Sequence, residues 1–224
     1  MLPTARAVIL HRLADAVPTP VAAAGGPGRP NFVRVGVDGP DGSGKTILAD
    51  ELATILRERG REVIRVSIDD FHHVRAVRHR RGRDSPEGFW LDSYDYARFR
   101  ADVLDPFAPG GSGHYRPVAH DVTTDELLEP EPRQAPPGAT LIVDGIFLHR
   151  DELVNSWDFS LFLDVPFAET ARRMAIRDGT PADPAAPRMR RYVEGQRLYF
   201  AACSPAHRAT HVLDNTDPST PVLR

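Results

Sequence analysis

The run Gly39-Pro40-Asp41-Gly42-Ser43-Gly44-Lys45-Thr46 constrains this chain more than any other feature. It satisfies the pattern G-x-x-x-x-G-K-[ST] at every position, and each part has a physical task. The glycines let the backbone turn tightly and aim its N–H groups at phosphate oxygens. Lys45 is spaced to reach the β- and γ-phosphates, and the Thr46 hydroxyl to reach a Mg²⁺ ion. Residues 32–38 before the loop read as a buried strand, and residues 47–56 after it repeat apolar side chains at helical spacing. A strand, a glycine loop and a helix N-terminus in that order make a phosphate cradle, with the helix dipole facing the anion. An ordinary glycine-rich turn does not explain the Lys-Thr pair at the helix entrance.

The rest of the chain repeats the same alternation. Residues 62–67, 140–144, 160–165 and 211–214 read as further strands, with helical stretches between several of them. The expected fold is therefore α/β: a P-loop NTPase with a five-stranded parallel sheet and helices on both faces. In such a sheet ligands gather at the carboxyl ends of the strands. The phosphate loop, Asp69 and Asp70 after strand two, and Asp144 at the tip of strand three then share one rim.

We expect an N-terminal helix and linker over residues 1–30 and a kinase-like domain over 31–224. Residues 5–17 have amphipathic spacing and form a packing appendage; their apolar face is also a candidate surface for a homo-oligomer. Residues 18–30, rich in Ala, Gly and Pro, read as the linker. The segment 69–137 is too long for a simple crossover and reads as a substrate-binding insertion with its own helix at 94–104. Residues 171–191 open with clustered arginines and continue in a stretch rich in Pro, Ala and Asp.

Composition narrows the partners. The 224 residues carry a net charge of −3, which gives no overall basic signature for nucleic acid. The basic run 75–83 lacks interleaved aromatics and reads as a solvated loop, or one that attracts an anionic nucleotide. The single cysteine, Cys203, excludes an intramolecular disulfide and suits a reducing cytoplasm. No apolar run reaches membrane-spanning length, so no membrane partner is expected. The nine histidines show no metal-ligand spacing.

A kinase acting on an alcohol needs a carboxylate near the acceptor hydroxyl. Asp69 and Asp70 are adjacent and point different ways, so only one serves readily as that base; the bland alternative is that both cap a helix. Asp144, ending an apolar strand, has the position of a carboxylate beside the Mg²⁺ held by Thr46.

Together the loop at 39–46, the run Ser67-Ile68-Asp69-Asp70-Phe71-His72 and Val143-Asp144-Gly145-Ile146 resemble the uridine kinase and phosphoribulokinase family, over about residues 32–214. The resemblance implies ATP (or GTP) and Mg²⁺ as cofactors, and a small-molecule acceptor, first of all the 5′-hydroxyl of uridine or cytidine. It implies that Gly39, Asp41, Gly42, Ser43, Gly44, Lys45 and Thr46 bind the donor phosphates. Asp69 matches the family's catalytic carboxylate, and His72 the position lining the nucleoside pocket. Asp144 stands where these kinases usually carry Glu. Asp92 matches the acid that holds the ribose hydroxyls. Tyr115 and His120 keep the first and last positions of the stretch that contacts the base, with Arg116 and Pro117 replacing its Asp and Phe. It implies a lid over residues 171–191, with Arg173 and Arg177 on one helix face as arginines that close over the phosphates. Their spacing departs from the family's by one residue. The altered base-contact stretch leaves two other readings open: a kinase of another small alcohol, pantothenate-like or a sugar phosphate, and a regulatory nucleotide-binding NTPase.

Overall fold

The computed structural model describes residues 4–20 and 31–224. The part of the expected linker at 21–30 lies outside the described residues. Helix α1 (Ala5–Ala16) begins at Thr4, whose hydroxyl accepts the N–H of Ala7. Strand β1 (Val33–Asp38) runs into the phosphate loop, which opens helix α2 (Lys45–Glu58). Strand β2 (Val63–Ser67) ends in a tight turn over Ile68–Phe71. The insertion follows, with α3 (Arg75–Arg78), α4 (Pro86–Asp92) and α5 (Tyr96–Phe99). Its short strands are β3 (His114–Tyr115), β4 (His120–Asp121), β5 (Glu126–Leu127) and β6 (Arg133–Gln134). The chain returns through β7 (Thr140–Asp144) and β8 (Phe159–Asp164). Helices α6 (Phe167–Asp178), α7 (Arg190–Cys203) and α8 (Pro205–Arg208) precede strands β9 (His211–Asp214) and β10 (Val222–Leu223).

The main sheet has the order β10-β9-β8-β1-β7-β2. Its five longer strands are parallel, as expected; β10 adds a sixth, antiparallel to β9. β1 lies between β7 and β8, so the loop after it opens where the sheet's connections diverge to either side, the usual place for a ligand crevice.

Alternation along the strands divides the core between the two faces. Val33, Val35 and Val37 of β1, with Ile142 of β7, pack with Leu48, Leu52 and Leu56 of α2 and Leu10 and Leu13 of α1. Leu141 and Val143 pack on the other face with Ile68, Phe71, Phe99, Phe107 and Phe147. Full burial of each such leucine or phenylalanine contributes about 2 kcal/mol. Leu10, Leu13 and Ala14 of α1 are thus packed within the chain, while Val8 of the same helix stays exposed.

The helix expected at 94–104 is present but irregular: α5 widens into a π-type turn over Arg100–Leu104. Helix α4 was not anticipated, although Ser85-Pro86-Glu87 is a start signal; Ser85 Oγ accepts the N–H of Gly88 at 3.0 Å.

Candidate functional site

The phosphate loop is shaped by glycine where no other residue fits. Gly42 has φ +75°, and a Cβ there would lie 2.8 Å from the carbonyl oxygen of Thr170 on α6. Gly44 caps α2 in the left-handed region, with φ +94°. Lys45 is buried, and its Nζ donates to Pro40 O at 2.8 Å, which holds the ammonium over the loop. Ser43 Oγ is buried with no hydrogen-bond partner among the described residues. A glycine cradle, an enclosed ammonium and an unpaired hydroxyl fit a bound polyphosphate.

Asp144 is 3% exposed at the tip of β7. Its Oδ2 accepts the Thr46 hydroxyl at 2.6 Å, and its Oδ1 accepts Arg65 Nη2 at 2.8 Å. Thr46 and Asp144 are therefore the pair that would hold Mg²⁺, an oxygen-only set that phosphate oxygens and water complete. No group of three or more His, Cys, Asp or Glu side chains suited to a metal occurs among the described residues.

Asp69 sits exposed in the turn after β2. Tyr94 donates its hydroxyl to Asp69 Oδ1 at 2.6 Å, leaving the second oxygen for another donor. Burial, reinforced by the Asp69 charge, pushes the Tyr94 phenol well up, so it remains a donor. His72 Nδ1 lies 2.6 Å from the carbonyl oxygen of Asp69, which makes Nδ1 the protonated nitrogen and leaves Nε2 able to accept. Burial also pushes the His72 imidazolium down, favouring the neutral ring. Asp70 is half-buried; burial, then the charges of Asp69 and Asp144, raise its carboxyl to about 6. Asp41 is raised too, by burial first, while Lys45 opposes the shift.

Two cavities meet beside the loop. The smaller, about 420 Å³, is lined by Gly42, Gly44, Ile47, Met174 and Pro218, with Arg6 at its edge. The larger, about 720 Å³, is lined by Asp41, His72, Phe89 and Ser93, and by Met174, Arg177, Met189 and Arg191. Met174 and Arg177 line both. Arg177 is exposed and pairs with Asp178 at 2.7 Å. Arg173, one turn earlier, is committed elsewhere: it donates to Glu169 at 2.8 Å and to the carbonyls of Asn215 and Thr216 at 2.8 and 2.9 Å. It also reaches the carbonyl of Ser43 at 3.3 Å. It thereby ties the loop after β9 to the phosphate loop.

The other residues singled out from sequence are dispersed. Of Asp92, Tyr115, His120 and His72, only His72 lines the larger cavity. Asp92 is 1% exposed and receives Arg80 and Arg81. Burial disfavours its ionised form, but hydrogen bonds and positive charge from those arginines outweigh that and hold it below the ordinary range. Tyr115 packs against Phe107 with ring centroids 5.3 Å apart. His120 is 2% exposed, with Nε2 3.2 Å from Asp125 Oδ1.

Beneath the loop lies a network that sequence reasoning did not find. Asp38 is fully buried; its Oδ1 accepts the N–H of Gly39 at 2.7 Å. Its Oδ2 accepts Tyr199 Oη at 2.5 Å and His149 Nδ1 at 2.8 Å. His149 Nε2 meets Ser160 Oγ at 2.9 Å, and that oxygen also accepts the N–H of Thr210. Gln196 accepts the N–H of Asp41 at 2.8 Å, and Asn215 Nδ2 donates to Ser43 O at 2.7 Å.

No sequence-family model matches the chain, and no curated protein matches it by sequence. Solved structures do. One described as a possible uridine kinase from Bacillus stearothermophilus has a TM-score of 0.69 at 22% identity, covering 91% of this chain and 96% of that one. A provisionally assigned fructose transport system kinase from a Silicibacter species has a TM-score of 0.66 at 23% identity, covering 90% and 96%. Phosphoribulokinase from Rhodobacter spheroides has a TM-score of 0.56 at 11% identity, covering 85% and 74%. The chain thus shares the fold of these solved structures, an α/β sheet with a phosphate loop after its first strand.

Proposed function

We propose that this protein transfers the γ-phosphoryl group of ATP to a hydroxyl of a small molecule, with Asp69 as the base. The observation that carries the reading is the Asp69 carboxylate. It is oriented by Tyr94 just after β2, its charge acts on Asp41 of the phosphate loop, and the Asp69 carbonyl holds His72; Asp41 and His72 both line the larger cavity. A regulatory NTPase needs no acceptor cavity and no oriented carboxylate near the phosphate loop. The similarity in fold to kinases supports the same reading.

In this mechanism the smaller, largely apolar cavity takes the nucleotide base, and the glycine loop with Lys45 takes its phosphates. Mg²⁺, when bound, neutralises charge on the β- and γ-phosphate oxygens, and Thr46 with Asp144 would hold it. The acceptor hydroxyl lies against the free oxygen of Asp69. A bond forms between that hydroxyl oxygen and the γ-phosphorus, and the bond to the β–γ bridging oxygen breaks. The proton passes to Asp69, and ADP leaves with the bridging electrons. Arg177, lining both cavities, stabilises charge on the moving group. Arg173 acts at one remove, by positioning the loop.

The resemblance in sequence makes uridine or cytidine the first acceptors to try. The test is ADP release by purified protein with Mg-ATP across nucleosides, sugars and sugar phosphates, repeated with Asp69→Asn. We expect acceptor-dependent turnover that falls by about 10²–10⁴ in the variant while ATP binding persists. Equal hydrolysis with and without every acceptor would overturn the reading.

A further inference from the structure

We propose that Asp41, although it stands inside the phosphate loop, belongs to the acceptor: its carboxylate accepts a hydrogen bond from a second hydroxyl of the molecule phosphorylated, beside the hydroxyl that meets Asp69. The proposal rests on the phosphotransferase reading above and names a residue that sets acceptor specificity.

Asp41 is poorly placed to hold the donor. Its N–H is taken by Gln196 Oε1 at 2.8 Å, so that amide is not offered to a phosphate. Its side chain carries the wrong sign, since a carboxylate repels phosphate oxygens. The two cavities separate it accordingly. Gly42 and Gly44 line the smaller cavity, which is assigned to the donor, and Asp41 does not; it lines the larger one, with His72, Phe89 and Ser93. Gln196 also fixes where the carboxylate lies. It is buried on α7, and its amide nitrogen donates to Tyr192 O at 3.0 Å while reaching Asp41 Oδ2 at 3.4 Å. Among the described residues the Asp41 carboxylate has no other hydrogen bond and no ion pair. It is held in place with most of its accepting capacity unused.

Two carboxylates thus serve one space. Burial raises the Asp41 carboxyl; Lys45 and Arg177 oppose the shift, and the Asp69 charge adds to it. The Tyr94 phenol, which donates to Asp69, is pushed up by burial and then by the charges of Asp69 and Asp41. A carboxylate so short of donors gains from a neutral hydroxyl, which supplies a proton to share and adds no charge to desolvate. The other acids of the cavity wall are engaged: Asp178 holds Arg177, and Asp84 acts on Arg191. Asp92, the acid that the sequence resemblance offers for ribose hydroxyls, is not in this wall, and both its oxygens receive arginines. Asp41 and Asp69 are left to receive the acceptor, the first reading a spectator hydroxyl and the second the reacting one.

The test crosses the residue with the hydroxyl. Wild type, Asp41→Ala and Asp41→Asn, each checked for folding by a melting curve, are assayed with every acceptor that turns over in the panel above. Each acceptor is set beside its singly deoxygenated analogues: uridine beside 2′-deoxyuridine and 3′-deoxyuridine, glycerol beside propane-1,3-diol. We expect the wild type to prefer the parent over one analogue by about 10- to 100-fold in kcat/KM, as a hydrogen bond to a charged group implies. Asp41→Ala should lower the parent by that factor and leave the analogue unchanged, so that the preference vanishes. Asp41→Asn, whose side-chain oxygen still accepts, should keep part of it. Calorimetric titration of the same proteins with Mg-ATP should give affinities within about twofold of each other. Three results overturn the assignment and spare the kinase reading: a wild type indifferent to every missing hydroxyl, an equal loss on parent and analogue in Asp41→Ala, or a shift of about tenfold in its Mg-ATP affinity. Hydrolysis independent of every acceptor sinks the kinase reading itself, and this proposal with it.

Discussion

Three carboxylates, Asp69, Asp70 and Asp144, crowd the mouth of the phosphate loop, and their surroundings set them apart. Asp144 has an arginine and a hydroxyl as partners, and Asp69 has a phenol. Asp70 is half-buried between two like charges, and its carboxyl rises from an ordinary 3.8 to about 6. A raised carboxyl means that the folded state holds its proton more tightly than the unfolded chain. Stability should therefore fall as pH climbs from about 4 to 6 and level off above. The span between those values, discounted for partial exposure, amounts to roughly 1–2 kcal/mol. Asp70→Asn removes the penalty: its melting temperature should exceed wild type by about 2–5 °C at pH 7.5 and match it near pH 4. Melting curves across pH 4–8 decide this, and equal gains at both ends would show that the charge is not the cause.

Between elements, the loop is held from below by groups far apart in sequence. Helix α7 delivers Gln196 and Tyr199 on one face, the first to the Asp41 N–H and the second to Asp38. The segment after β7 delivers His149 to the same carboxylate. Replacing His149 with Ala strips a fully buried carboxylate of a donor and leaves a cavity, at a cost of about 3–5 kcal/mol. Because Asp38 also anchors the Gly39 N–H, ATP affinity should drop about tenfold beyond any loss of folded protein. Isothermal titration on the folded fraction measures it, and unchanged ATP affinity would mean that the loop holds its shape without the network. This network also marks where sequence reasoning stops. Thr46 and Asp144 were legible because strand-tip acids and loop hydroxyls obey short-range spacing. Asp38 meets His149 and Tyr199 across 111 and 161 residues, and each is unremarkable in its own neighbourhood. Arg173 and Arg177 were legible as one helix face, but periodicity says nothing about which carbonyls a guanidinium meets. Asp92 had a recognisable motif position, yet its partners Arg80 and Arg81 sat in a run that read as a solvated loop.

At the scale of the whole molecule, α1 is more than an appendage to the sheet. Leu10, Leu13 and Ala14 seal the outer side of α2, while Arg6 reaches past it. Arg6 pairs with Glu51 of α2 at 2.5 Å and donates to the carbonyl oxygen of Pro218 at 2.8 Å. Pro218 and Arg6 both line the smaller cavity, so the first helix braces the last loop across the space assigned to the nucleotide base. The same end of the chain therefore acts on two quantities that mutation can separate. Leu13→Ala opens a hole in a fully buried position and should cost about 2–5 kcal/mol of stability, with little change in KM for ATP in the protein that remains folded. Arg6→Ala leaves the core intact and releases the loop at Pro218, while Arg173 still holds Thr216. KM for ATP should rise about three- to tenfold, while the melting temperature shifts by only a few degrees. Steady-state kinetics with ATP varied at saturating acceptor, beside melting curves of both variants, tests the division. If Arg6→Ala changed stability alone, α1 would be a packing element only, and the donor cavity would be complete without it.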